Sequence, residues 1–214
     1  RPQLCEDALR LGRVLAGLVP DEPEVHGLVA LMELHASRAA ARTTRTGEPV
    51  LLPQQDRSRW DRLLIRRGLA ALERAEALGG GVRGPYTLQA AISACHARAN
   101  TADETDWARI AELYAELAAL MPSPVVELNR AMAVAMSEGP AAGLAIVDRL
   151  VAEPALRQYP YLPSARGDLL EKLGRAAEAR AEFERAASLT RNERERALLL
   201  ERAAGCERDA APSR

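Results

Sequence analysis

Tyr161 to Thr190 constrains this chain more than any other stretch. YLPSARGDLLEKLGRAAEARAEFERAASLT reads as two helices folded back on each other around Gly174. Ala165, Leu169, Leu170 and Leu173 recur at helical spacing in the first, and Ala179, Phe183, Ala186 and Leu189 do so in the second. Each stripe is too narrow to be buried alone, so the pair must stack on further helices. Gly174 is expected to end the first helix, because only glycine takes the left-handed cap conformation at no steric cost. Gly167, Ala179 and Ala186 are small enough to let the two backbones come close.

The order Leu-Gly-Arg, Glu-Ala, Phe, Ala resembles that of a tetratricopeptide helix pair, and it recurs. Gly139 lies 35 residues before Gly174, against a typical period of about 34 for this repeat. Leu144 then stands in the place of Ala179 and Asp148 in that of Phe183. One step earlier, WARIAELYAELAALMP fits a second helix, with Tyr114 in the aromatic slot, Asp106 as N-cap and Pro85 to Ala99 as its partner. Earlier still, Trp60 to Leu78 carries Leu64, Gly68, Leu72 and Ala75 on one side and pairs with Glu24 to Arg42. Between them, Thr43 to Asp56 is an insertion with turn signals at Gly47 and Pro49 and an apolar Val50-Leu51-Leu52 arm; a loop of that length in a helical array is usually functional or mobile. Leu4 to Val19 reads as an unpaired second helix, and Asn192 to Ala204 as a capping helix. The fold expected is all-α, a right-handed solenoid of antiparallel helix pairs with about ten helices. It forms one domain over residues 1–206, with a disordered tail at 207–214.

Charged residues make up 28% of the chain, yet the net charge is −1 and the pI about 6.4. Both signs are interspersed along the helices, which argues against non-specific nucleic-acid binding. Cys5, Cys95 and Cys206 are scattered, without CxxC spacing, and read as reduced thiols of a cytoplasmic protein. No apolar run approaches the roughly 18 residues of a membrane span. A chain that starts at Arg1 reads as a fragment of something longer.

The chemistry of catalysis is hard to find. His26, His35 and His96 are the only histidines, and none forms the i, i+4 pair a metal site uses. The glycine-rich run Gly79 to Gly84 follows a helix where a phosphate loop would follow a strand. No enzyme, metal or cofactor is expected. Two polar groups stand out instead. In the first, Asp56 or Ser58 can cap the following helix, Arg57 and Arg59 can form bidentate carboxylate pairs, and Trp60 can anchor the chain in the core. Together with Gln55 these residues read either as a cap that fixes the long loop or as a docking surface. In the second, Tyr86, Gln89, Asn129 and Arg130 sit on first helices, which line the concave face of a solenoid. Asn129 and Arg130 there either clamp an extended segment or bridge neighbouring helices. Trp107 reads as core.

At these same residues the chain resembles a known family. QDRSRWD at Gln55 to Asp61, GPYTLQAAISACHA at Gly84 to Ala97, TDW at Thr105 to Trp107 and SPVVELNRAMAVA at Ser123 to Ala135 are similar to the C-terminal extension of extracytoplasmic-function sigma factors with a tetratricopeptide-like tail. The match departs at Gln54, where an acidic residue is commoner, and at Cys95, where a small apolar one is. The resemblance implies a regulatory domain without catalytic residues. Its partners would be the protein's own N-terminal sigma domains or the RNA polymerase core, with DNA touched only through the sigma domains, which this segment lacks. The alternative is a free-standing tetratricopeptide adaptor that holds a peptide of another protein in its groove.

Overall fold

The computed structural model describes residues 2–47 and 50–210, and among them it contains ten α-helices and no β-strand. The chain falls into two compact units, Arg1–Met121 and Pro122–Arg214. The first holds α1 (Pro2–Leu18), α2 (Pro23–Ser37), α3 (Arg62–Gly79), α4 (Pro85–Arg98) and α5 (Trp107–Leu120). The second holds α6 (Pro124–Glu138), α7 (Pro140–Leu150), α8 (Tyr161–Lys172), α9 (Ala176–Leu189) and α10 (Glu193–Ala210). Five of these helices begin with proline, where its missing N–H costs no bond.

In the first unit α2 is the centre, packed on α1, α3 and α4. α3 returns antiparallel to α2: the Asp61 N–H donates to the Ser37 carbonyl at 2.9 Å, and a Cβ on Gly68 would lie 2.8 Å from the Leu34 side chain. α4 runs parallel to α2, as the contacts Glu24 with Thr87 and His35 with Ser93 require. α1 lies against α2 through Leu9 and the Arg13–Glu33 ion pair at 2.7 Å, with the Glu33 side chain buried. Leu4, Leu11 and Leu18 remain exposed on its other side, as an unpaired helix leaves them.

In the second unit each helix packs on the next. Gly174 has φ 73°, and the bonds Arg175 N–H to Leu170 O and Gly174 N–H to Glu171 O, both 2.9 Å, close α8 in a Schellman motif as the sequence leads one to expect. Phe183 is fully buried, with the Arg202 guanidinium 4.2 Å above its ring. Arg202 is held there by Asp168 at 2.8 Å and by Glu171.

The repeat register needs one correction. Asp148 does not occupy the slot that Phe183 fills: it is exposed and accepts from Arg166 Nε at 2.8 Å, while Val147 is buried in its stead. Three residues connect α8 to α9, but Gly139 alone, at φ 101°, joins α6 to α7. The shorter turn starts α7 in a different phase, and each residue of offset rotates a side chain by about 100°. Tyr114 is likewise only half-buried, and Leu113 and Leu117 take the core positions of α5. At the C-terminus α10 runs on to Ala210, past the expected start of the tail, and residues 211–214 lie outside the described residues, as does Pro49.

Packing at Phe183 gives a direct test. A Cβ on Gly167 would sit 2.7 Å from the Phe183 ring, so Gly167→Val is expected to cost about 2 kcal/mol through overpacking. Phe183→Leu in the same chain recovers part of that loss, and a urea-unfolding double-mutant cycle measures the coupling.

Candidate functional site

Residues 38–61 leave α2 and come back to α3 through a corner built on one buried cation. Arg57 is only 9% exposed, yet among the described residues it meets no carboxylate within 4.0 Å. Its guanidinium donates to the carbonyls of His96 and of Ala99, the latter at 2.8 Å, and to Thr105 Oγ1 at 3.1 Å. It also lies 4.8 Å over the Trp60 ring, with Arg38 at 5.8 Å from the same ring. Trp60 is buried, as expected of an anchor.

The carboxylate pairs expected at Arg57 and Arg59 are therefore replaced by carbonyls. Arg59 donates to the carbonyls of Ala40 and of Thr43, the latter at 3.4 Å. Helix polarity supplies the reason: the last carbonyls of α4, and those of the 3-10 turn Ala39–Ala41, have no partner inside their own helix. A guanidinium carries five donors and always a positive charge, which suits a helix C-terminus. The capping roles also shift. Asp56 accepts from the Ser58 hydroxyl at 2.6 Å and the Ser58 N–H at 2.9 Å, and these bonds hold its carboxyl below the usual carboxylate range. They cap the 3-10 turn Arg57–Arg59, while Asp61 caps α3 by accepting from Leu63 N–H at 2.8 Å and Leu64 N–H at 3.1 Å. Gln55 is buried and donates to the Val50 carbonyl at 3.2 Å. Of this group, Asp56 and Arg59 are exposed and Gln55 and Arg57 are enclosed.

The other end of α4 is closed by a carboxylate that sequence reasoning missed. Glu24 accepts from Tyr86 N–H at 2.7 Å, Thr87 N–H at 3.1 Å and Thr87 Oγ1 at 2.6 Å. It caps α4 from α2, and the approach is close enough that a Cβ on Gly27 would lie 2.7 Å from the Thr87 nitrogen and one on Gly84 2.6 Å from the Glu24 carboxylate. In sequence Glu24 looks like an ordinary acid in the first turn of its own helix; the glycines at 27 and 84 were the available signal. Tyr86, whose N–H is taken, is 44% exposed, and the Gln89 amide donates to the Pro85 carbonyl at 3.1 Å.

The second polar group is divided between units. Tyr86 and Gln89 are on α4 of the first; Asn129 and Arg130 are on α6 of the second. Asn129 is exposed, and Arg130 is committed to Glu127 one turn earlier, with bonds of 2.9 to 3.2 Å. A cleft of about 770 Å³ in the second unit, lined by Tyr161, Arg191, Asn192 and Arg196, gathers none of these residues.

The corner is electrostatically one-sided. Arg38 is pushed down to about 10 by burial and by Arg42 and Arg57. His96, 9% exposed and edge-on to Trp107 at 5.2 Å, is pushed down to about 4 by burial and by Arg38 and Arg57. His35 moves the same way under burial, Arg38 and Arg42, although its ring keeps an exposed edge, so the larger share of the pH dependence falls on His96. Trp107 is half-buried here, more a wall of the corner than part of the deep core.

A family model described as a family of unknown function (DUF6596) matches residues 1–76, which take in α1, α2, the corner and most of α3. The chain is similar, at 48% identity over 196 residues, to an uncharacterized protein of Rhizobium meliloti (strain 1021). That alignment covers 92% of this chain and 45% of the relative, so the chain spans less than half the relative's length. No solved structure matches it. Among the described residues no helix is long and apolar enough to cross a membrane.

Two outcomes follow from the corner. Arg57→Ala leaves three acceptors without their donor and is expected to lower stability by about 3 kcal/mol; Arg59→Ala, at the surface, costs clearly less in the same denaturant titration. His96 titrates near 4 when folded and near 6.5 when unfolded, so the unfolded chain binds more protons between those values. The His96 contribution to stability is therefore complete only above about pH 7.5 and falls by about 2 kcal/mol between roughly pH 7.5 and 5, and His96→Gln flattens that slope.

Proposed function

We propose that the chain is a non-catalytic regulatory domain of an extracytoplasmic-function sigma factor, docking in the cytoplasm on that factor's own sigma domains or on RNA polymerase and so controlling transcription initiation. The observation that carries this reading is that three separated motifs of the resemblance converge on one joint. Arg57, from Gln55–Asp61, bonds the His96 carbonyl and Thr105, and His96 packs edge-on against Trp107. The segments that resemble the sigma-factor extension thus build a single rigid platform, as a docking domain needs. Exposed groups flank it: Asp56 and Arg59 at the joint, and Tyr86 at the other end of α4. In this reading Asn129 and Arg130 give the second unit its own contact, with Arg130 exchanging Glu127 for a partner carboxylate.

Pull-down of this chain against the sigma domains supplied as a separate polypeptide, with and without core polymerase, tests the proposal. Binding to the sigma domains alone identifies an intramolecular switch, and binding only with polymerase a docking arm. Tyr86→Ala is expected to weaken whichever complex forms by about tenfold without moving the unfolding midpoint. Binding to neither overturns the proposal in favour of a free-standing adaptor.

A further inference from the structure

The corner concentrates positive charge that no ion pair among the described residues neutralises. Residues 35–68 hold eight arginines against three carboxylates, a local charge of +5 in a chain whose total is −1, leaving −6 for all the rest. Of the three, Asp56 and Asp61 are occupied in capping backbone N–H groups, and Glu48 lies outside the described residues. Among the described residues none of Arg38, Arg42, Arg45, Arg57, Arg59, Arg62, Arg66 and Arg67 has a carboxylate within 4.0 Å. Elsewhere the protein pairs its arginines freely, as at Arg83, Arg109, Arg166 and Arg202.

Topology brings these cations together. α3 starts where α2 ends, Arg38 and Arg57 both lie over the Trp60 ring, and the charges of Arg42 and Arg57 both bear on Arg38. Like charges held together without a counter-ion raise the energy of the free protein and lower that of a complex that brings anions. Arg57 is enclosed, Arg38 is half-buried on Trp60, and Arg42, Arg45, Arg59, Arg62 and Arg66 are exposed. Leu51 and Leu63 are also exposed: Leu51 follows Val50, whose N–H donates to the Arg42 carbonyl, and Leu63 follows Arg62 in the first turn of α3. The charge of Glu104, on the α4–α5 connection, favours the Arg57 guanidinium without coming within 4.0 Å of it.

We propose that the surface formed by Arg38, Arg42, Arg45, Arg59, Arg62 and Leu63 binds an acidic segment of a protein, its carboxylates on the guanidiniums and an apolar side chain on Leu51 and Leu63. A nucleic-acid strand fits less well, since tracking a phosphate backbone takes a basic stripe and the remainder of this chain is acidic. This deepens the docking reading by giving the partner's chemistry, but it rests on the charge cluster alone and holds whether or not the partner is a sigma factor.

The test is fluorescence anisotropy of the intact chain with a labelled peptide of eight glutamates interrupted by two leucines, at about 50 mM and 300 mM salt. Saturable binding is expected that weakens at higher salt and falls about tenfold or more in the double variant Arg42→Glu with Arg45→Glu. The same reversal at two exposed arginines of the second unit, Arg149→Glu with Arg157→Glu, is expected to change it less than about twofold. Leu63→Ser separates the apolar contribution without altering charge. Absence of saturable binding at low salt, an equal loss in the second-unit variant, or tighter binding of a single-stranded oligonucleotide of equal charge each overturns the proposal. None of these readouts depends on transcription, so its failure is distinct from failure of the regulatory reading.

Discussion

The C-terminal end of α4 exposes carbonyls that nothing in α4 can satisfy, and a side chain 39 residues earlier supplies the donors. Burying a guanidinium is expensive unless its N–H groups are used and its face is covered. Arg57 meets both conditions, with three oxygen acceptors around its edge and the Trp60 ring against its face. Among the described residues the long connection between α2 and α3 is thereby tied down, with three 3-10 turns and a bridge at Thr43. Remove the guanidinium, and the connection and the end of α4 lose their partners together.

α4 is closed at both ends by charges borrowed from α2 and the segment after it: the Glu24 carboxylate on its first N–H groups, the Arg57 guanidinium on its last carbonyls. Each sign opposes the helix dipole at that end. Since α4 is buried along most of its length, these imported caps decide both that it lies parallel to α2 and in what register. The two glycines at 27 and 84 are the steric condition for the carboxylate cap. The arginines left over at the corner, without acids to meet them, are what gives the surface its chemistry.

The second unit is held differently. Its turns are local, its ion pairs are mostly between residues one helical turn apart, and its deepest packing, Phe183 against Gly167 and under Arg202, joins neighbours in the chain. This is why the sequence was most informative there. The Gly174 cap, the small residues against Phe183 and the Asn192 cap of α10 all depend on residues within about one helix pair. The same local logic failed at Asp148, where one turn shorter by two residues rotated the following helix.

By itself the sequence determined about ten helices and most of their starts, because 3.6-residue periodicity, proline starts and glycine stops act over a few residues; it overran the end of α2, which stops at Ser37 and not at Arg42, and stopped α10 short of Ala210. It also marked Gln55 to Trp60 and Tyr86 as unusual. Only the tertiary structure decided what they do: that Arg57 turns inward to carbonyls, that Glu24 caps a helix 62 residues away, and that Arg38, Arg42 and Arg57 share a corner without an ion pair among the described residues. Those outcomes depend on which backbone groups are left unsatisfied once the helices are packed, and that quantity exists only after the chain has folded.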